Sequence, residues 1–223
     1  MNTSYDWSQY NKLRNKLAIK IDKYNLKSKL NFFEQANYNH IRDIYALTLI
    51  LISGKKGKGN ILDFGGNLIA HANLINKINA KNLTFRIFNP HIKSVKKNLS
   101  FKYKLINKEK LLQNQKFDLL YFGSSLQYIK KISNLKSLNF LDKSKYILIT
   151  HTPISFGLRD VLYLRQVNQR NLYQNIYSFN FINKKILNNK FKLIFKSIND
   201  YKYSGLKKKF NHIHSMNLLF KRK

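Results

Sequence analysis

The residues whose types and spacing could do chemistry stand in four short segments: Asp63-Phe64-Gly65-Gly66, Asn89-Pro90, Gly123-Ser124-Ser125-Leu126-Gln127-Tyr128 and His151-Thr152-Pro153. In the first, an acid precedes a glycine pair that allows a tight turn. Asn67 is then an N-cap for a helix with an apolar period through Leu68, Ala72 and Ile75. Backbone N–H groups point outward at a helix start, so the turn suits an anion or the polar edge of a nucleotide-like ligand. Asp63 either accepts hydrogen bonds from such a ligand or orders the loop. The dinucleotide pattern G-x-G-x-x-G is absent, as is the P-loop with its Lys-Ser/Thr, so a βα turn without a ligand is the competing reading.

His151 has the side chain of a general base for a hydroxyl acceptor, since an unperturbed imidazole titrates near ~6.5. The alternative is a polar residue that orders the Thr152-Pro153 turn. His71, in the helix after the glycine turn, either lines a pocket or packs. Tyr128 and Tyr177 either stack on an adenine or sugar ring or pack with a hydrogen-bonded hydroxyl. His212 and His214 alternate on a late strand, but no carboxylate or further histidine is near in sequence, so no metal site is expected.

Alternating strands and helices would position these segments. Asn60–Phe64 reads as a short buried strand, Leu83–Phe88 as a second and Leu99–Ile106 as a third. Phe117–Phe122 (FDLLYF) is continuous and apolar, as expected of a central parallel strand covered on both faces. Helices are expected at His91–Asn98, where Pro90 suits a helix start, and around Ser133–Leu141. Tyr146–Thr150 follows as the fifth strand. Asn180–Asn189 reads as a helix, and Phe191–Ile198 with Ile213–Phe220 as an antiparallel pair at one sheet edge. Alternating β and α imply a parallel sheet with helices on both faces. In such a sheet ligands bind beyond the carboxyl ends of the strands, which is where all four segments would converge.

Ahead of the α/β domain (55–223) the reading places an N-terminal helical extension (1–54) packed on the core. Tyr10, Leu13, Leu17, Ile21 and Tyr24 form an apolar stripe on a basic helix from Tyr5 to about Leu30, and a second helix is expected from Tyr38 to Ser53. A basic amphipathic helix can also lie on an anionic membrane, so weak peripheral association is a second expectation. The apolar run Ile44–Ile52 is well short of the ~20 residues that span a bilayer. The N-terminus lacks the apolar core of a signal peptide, and a cytoplasmic location is expected.

The chain has 223 residues and no cysteine, which excludes disulfides, zinc–thiolate sites and cysteine nucleophiles. Its 42 Lys and Arg against 10 Asp and Glu give a net charge of +32, a field that favours anionic partners. The abundance of Lys, Asn, Ile, Phe and Tyr is also what A/T-rich codons produce. The lysines are dispersed and arginines few, so specific nucleic-acid recognition is not expected.

Five alternating strands followed by an antiparallel pair resemble the class I S-adenosylmethionine-dependent methyltransferase fold. Three segments narrow the resemblance: Ile61-Leu-Asp-Phe-Gly-Gly66, Phe117 to Ile129 and Thr150-His-Thr-Pro153. With Gln166-Val167, Tyr173 and Ile176-Tyr177-Ser178, they are similar to a family of methyltransferases encoded among bacterial surface-polysaccharide genes. The resemblance runs from about Tyr38 to the C-terminus. It implies a Rossmann-like, seven-stranded, mostly parallel sheet with an antiparallel last strand. It implies S-adenosyl-L-methionine as cofactor, held by Asp63, Gly65, Gly66, Asn67, His71, Asn89, Ser124, Ser125 and Gln127. It further implies O-methylation of a sugar or glycan precursor, with Tyr128, Thr152, Gln166 and Tyr177 toward the substrate; the positive field favours an anionic substrate, and His151 is the candidate base. The chain departs from the usual Asp/Glu-x-Gly-x-Gly-x-Gly at Asn67 and Ile69, where glycines are expected. Asn89 replaces the acid that binds the ribose, and His151 replaces an arginine. These departures favour a non-catalytic relative as the alternative. Charge alone favours a nucleic-acid-binding or RNA-modifying protein, which would lack the Asn/Asp-Pro-Pro-Tyr/Phe segment of many base-amino methyltransferases.

Overall fold

A computed structural model describes residues 39–54, 58–66, 82–89, 102–129, 140–156, 161–165, 173–199 and 213–223. The helix expected over Tyr5–Leu30, the helix carrying Asn67 and His71, the one over His91–Asn98, most of that around Ser133–Leu141, and Gln166 lie outside these residues.

A helix, α1 (Asn39–Ser53), leads into β1 (Gly59–Phe64). β2 (Leu83–Phe88), β3 (Lys102–Ile106), β4 (Phe117–Gly123) and β5 (Ser144–Ser155) follow. A hairpin of β6 (Val161–Arg165) and β7 (Tyr173–Ser178) comes next, then a single helical turn, α2 (Phe179–Phe181), which widens into a π-turn over Ile182–Ile186. β8 (Phe191–Asn199) and β9 (Ile213–Arg222) close the described chain.

All nine strands share one sheet. β3-β2-β1-β4-β5 are parallel neighbours, and the Leu120-containing stretch of β4 lies beside Ile61–Asp63 of β1 as a central pair. β9 runs antiparallel between β5 and β8. The order 3-2-1-4-5-9-8 is the seven-stranded, mostly parallel Rossmann-like sheet expected from the sequence, with its last strand reversed. The last two strands form the expected antiparallel pair at the sheet edge, β9 against β5 and β8 outermost. Two details differ. The expected helix over Asn180–Asn189 is only a turn and a π-turn. The hairpin β6–β7 adds two strands that the sequence reading did not place.

Strand side chains alternate between faces, and the central strands bury both. Ile61, Leu119, Tyr121 and Leu148 pack under Ile44, Tyr45 and Leu49 of α1. Leu62, Leu120, Phe122 and Ile147 face the other way, onto a second core with Phe64, Phe140, Phe191 and Phe220. Each such buried side chain stabilises the fold by roughly 1.5–3 kcal/mol. Both faces are therefore filled, and the carboxyl ends of the strands are left as the place for a site.

Candidate functional site

The glycine turn at the end of β1 is held from three sides. Gly65 adopts φ +81°, a conformation that favours a residue without Cβ. Its N–H donates to Phe88 O at 2.8 Å. The Asn89 side-chain amide donates to Gly66 O at 3.3 Å, while the Asn89 N–H donates to Ile106 O at 3.0 Å. Asn89 thus ties the ends of β1, β2 and β3 together. A Cβ on Gly66 would overlap the Asp63 carboxylate, so the acid is folded back beneath the turn. The carboxylate packs against the turn it was expected either to order or to extend toward a ligand.

Asp63 is 1% exposed and faces α1's side of the sheet. It lies opposite Tyr121 in the β1–β4 register, and Tyr121 stacks on Tyr45 at 4.3 Å between centroids. Burial first, and the charge of Asp63 second, push both phenols above their ordinary value of 10.0. Both hydroxyls therefore keep their protons, and that of Tyr121 shares a hydrogen bond with Thr150 Oγ1 at 3.0 Å.

The ends of β4 and β5 interlock beside this turn. Ser125 Oγ donates to Phe64 O, joining the β4 loop to β1. Ser124 takes φ +54° and donates its N–H to Thr150 O at 3.0 Å. The pairing of β5 with β9 shifts register between Ile149 and Thr152, and His151 sits in that irregularity at φ +51°. For a β-bearing residue the left-handed region is strained by roughly 1–2 kcal/mol. Such strain persists only where neighbours impose it, and it gathers at functional sites.

The neighbours here are specific. The His151 N–H donates to Asn217 Oδ1 at 3.2 Å, and Asn217 Nδ2 donates to Ser197 Oγ at 3.1 Å. On the other side Gln127 Nε2 donates to His151 O at 3.5 Å, and Thr152 Oγ1 donates to Gln127 Oε1 at 3.2 Å. The peptide of His151 is gripped at both ends. Burial lowers the imidazole pKa below 6.5, so the ring is neutral near pH 7 and able to accept a proton. Asn217 is 0% exposed and was not singled out in the sequence. Its signal was an amide between Met216 and Leu218 in an expected strand, which had to find a buried partner.

The hairpin extends the site upward. β9 occupies one edge of β5 along its length, so β4 and β7 share the other. β7 pairs with Ile154 and Ser155, beyond the point where β4 ends at Gly123 and Thr150. It therefore stands above the end of β4. Tyr177, 0% exposed, donates its hydroxyl to Leu126 O at 3.0 Å. Asn175 Nδ2 donates to Ile129 O at 2.8 Å. These bonds fasten the hairpin to the turn Leu126–Tyr128, and Tyr177 acts from inside the core. Tyr128 is half-buried on the same turn.

The structure thus brings Asp63, Gly65, Gly66, Asn89, Ser124, Ser125, Gln127, Tyr128, His151 and Thr152 to one rim, with Tyr177 beneath its wall. Asn67, His71 and Gln166 fall outside the described residues. A separate cleft of about 420 Å³ lies at the opposite end of the sheet, lined by Lys58, Asn60, Asn82, Thr84, Lys102 and Asp118.

No protein-family model matches the sequence, and no curated protein matches it. Solved structures share the fold. One is the O-methyltransferase of a trans-AT polyketide synthase multienzyme from Brevibacillus brevis, in complex with S-adenosyl-L-homocysteine. It aligns with 93% of this chain and 78% of its own, with a TM-score of 0.60 at 12% identity. Magnesium protoporphyrin IX methyltransferase from Synechocystis, with bound S-adenosylhomocysteine, aligns over 92% and 94%, with a TM-score of 0.57 at 10% identity. An S-adenosylmethionine-dependent methyltransferase from Mesorhizobium loti aligns over 79% and 96%, with a TM-score of 0.50 at 11% identity. The chain has the Rossmann-like fold of these methyltransferases.

Proposed function

We propose that the protein is an S-adenosylmethionine-dependent methyltransferase that acts on a hydroxyl of a sugar or glycan precursor in surface-polysaccharide synthesis. The observation that carries this reading is the neutral, backbone-strained His151 held at the same rim as the glycine turn, in a fold whose solved neighbours include O-methyltransferases. The rim fits the cofactor in one specific respect. Gly65 leaves the turn without a side chain, so the backbone can be approached closely there, while the Cβ side of Gly66 is taken by Asp63.

When bound, the cofactor supplies an activated methyl group on a sulfonium. The protein's part is to position, to exclude water and to manage one proton. Asp63, Asn89 and Ser125 fix the shape of the glycine turn. Gln127 and Asn217 fix the peptide of His151, and its imidazole takes the acceptor's proton. The hairpin β6–β7 walls the acceptor side above β4. The sugar acceptor rests on the resemblance of the Leu-Asp-Phe-Gly-Gly, Leu-Gln-Tyr and Thr-Pro segments. The basic charge is compatible with a phosphate-bearing acceptor.

One observation favours a second reading. The Asn89 amide is engaged by Gly66 and the Asp63 carboxylate lies under the same glycine, so two groups expected to meet the cofactor serve the turn itself. A non-catalytic relative that keeps the fold would look like this.

Methyl transfer from radiolabelled S-adenosylmethionine separates the two. Sugar nucleotides and bulk RNA are the acceptors to compare. The proposal expects label in a sugar nucleotide and its loss in His151→Gln. Label in RNA, or unchanged transfer by His151→Gln, contradicts the acceptor or the base, respectively.

A further inference from the structure

The lysines look dispersed along the sequence, but the fold gathers several of the described ones at one edge. At the amino ends of the parallel strands stand Lys58 before β1, Lys102 opening β3, Lys116 before β4 and Lys145, the second residue of β5, all exposed. β9 runs the other way, so its last residues, Lys221 and Arg222, arrive at the same edge. The described residues of the opposite rim, at the strands' carboxyl ends, carry Asp63, Asn89, serines, Gln127 and His151, with Lys108 just past β3.

This entry edge includes a local arrangement that is unfavourable without a counter-charge. Lys192 of β8 lies directly opposite Lys221 of β9 in the antiparallel register, both exposed. Like charges directly opposite destabilise a strand pair. The acids at this edge are already engaged. Asp142 pairs with Lys190 at 2.6 Å, and Asp118 accepts the Asn60 N–H at 2.9 Å. Between Lys58 and Lys102 the cleft of about 420 Å³ offers Asn60, Asn82 and Thr84 as polar lining. An anion bound along this edge relieves the repulsion.

Apolar side chains adjoin the charge. α1 is apolar on its outer face as well as its buried one: Leu47, Ile50 and Leu51 are 62%, 52% and 51% exposed. A Cβ on Gly59 would lie 2.8 Å from Ile52, so the last turn of α1 is level with the start of β1. Exposed aliphatic side chains beside lysines match a surface that offers both phosphate and hydrocarbon. Nucleic acid fits less well. Of the described aromatic residues of this edge, Phe117, Tyr146 and Phe191 are buried and Tyr103 is partly buried against the core under α1, so little ring surface is offered to a base. Arg86 is turned onto Asn60 at 2.6 Å and over the Phe117 ring.

We propose that the strand-entry edge, with the end of α1, is a docking surface for an anionic lipid bilayer. The contact is peripheral, since no helix among the described residues is long and apolar enough to cross a membrane. On the function proposed above, on which this consequence alone rests, the rim faces away from the bilayer and takes its acceptor from the aqueous side.

The test is co-sedimentation of the full chain with vesicles of phosphatidylcholine alone and of phosphatidylcholine with phosphatidylglycerol in equal parts. Binding is expected to the anionic vesicles only, and to disappear by roughly 0.5 M salt, where screening acts within a few ångströms. Lys192→Glu with Lys221→Glu is expected to lower the partition coefficient about tenfold or more. Ile50→Ser with Leu51→Ser, also at exposed positions, lowers it several-fold while the thermal midpoint holds. Equal binding to neutral vesicles, no binding to anionic ones, or charge reversal without effect overturns the proposal. So does tighter binding of a labelled oligonucleotide than of vesicles at physiological salt, abolished by the same reversals, which assigns the edge to nucleic acid. None of these outcomes depends on cofactor binding, so the proposal and the enzyme reading fail separately.

Discussion

Gly66 and His151 are held for opposite reasons, and substitutions at them have opposite signs. A Cβ at Gly66 collides with the Asp63 carboxylate in a closed turn. Gly66→Ala is expected to cost about 1–3 kcal/mol, as overpacking does, read from denaturant midpoints. At His151 the Cβ is itself the source of strain. His151→Gly is expected to leave stability unchanged or raise it by up to about 1 kcal/mol, while abolishing transfer. Asn217→Leu removes the acceptor of the His151 N–H, and Asn217→Asp keeps it. Loss of amide-exchange protection at His151 in the first and its retention in the second is the expected result. The lowered His151 pKa also sets a pH dependence. Between its folded pKa and the unfolded value of 6.5 the unfolded chain binds more protons, so the contribution is complete above 6.5 and is lost as pH falls through that window. His151→Gln flattens this part of the stability–pH curve. The residue types of the rim were legible in the sequence, but their duties were not. Asn89 reads as a ribose ligand in the sequence, and the structure adds a second duty, since its side-chain N–H donates to Gly66 O across two strands, a contact visible in no local pattern. For the same reason Asn89→Asp, which would give the ribose a stronger acceptor, loses the donor that closes the turn.

β4 and β5 show what a local pattern reveals about an element and where it stops. FDLLYF is apolar apart from Asp118, as suits a strand buried on both faces, and β4 is found over Phe117–Gly123. β5 begins as expected but runs on to Ser155 through His151-Thr152-Pro153, which reads as a turn. A proline is tolerated in a strand beside a bulge, and the register shift after Ile149 provides one. The hairpin β6–β7 was hidden because β7 pairs with only Ile154 and Ser155 of β5 in the main sheet. Its hold comes instead from Tyr177 and Asn175 on the turn beneath. Tyr177→Phe, which leaves Leu126 O without that donor in a buried place, is expected to cost about 1–3 kcal/mol in denaturant unfolding. An unchanged midpoint would show that the hairpin is held by packing alone.

Across the whole molecule, the sheet separates two surfaces. The carboxyl rim is mostly polar among its described residues, with Lys108 beside it, and the entry edge is the more basic of the two. Strand direction accounts for this, because parallel strands place all their first residues at one end and the reversed β9 returns its last ones there. The sequence conveyed the total charge of +32 but not this sorting, since neighbours along an edge are far apart in the chain. The central claim concerns the rim, and isothermal titration of the folded protein with S-adenosylmethionine and S-adenosylhomocysteine tests it most directly. The account predicts saturable binding of both, with dissociation constants below about 1 mM, as for typical enzyme ligands. It also predicts loss of that binding in Gly65→Val, which closes the turn the cofactor would approach. No binding heat at millimolar ligand, from a wild-type protein with an intact unfolding transition, would contradict the account and leave a methyltransferase fold without its cofactor.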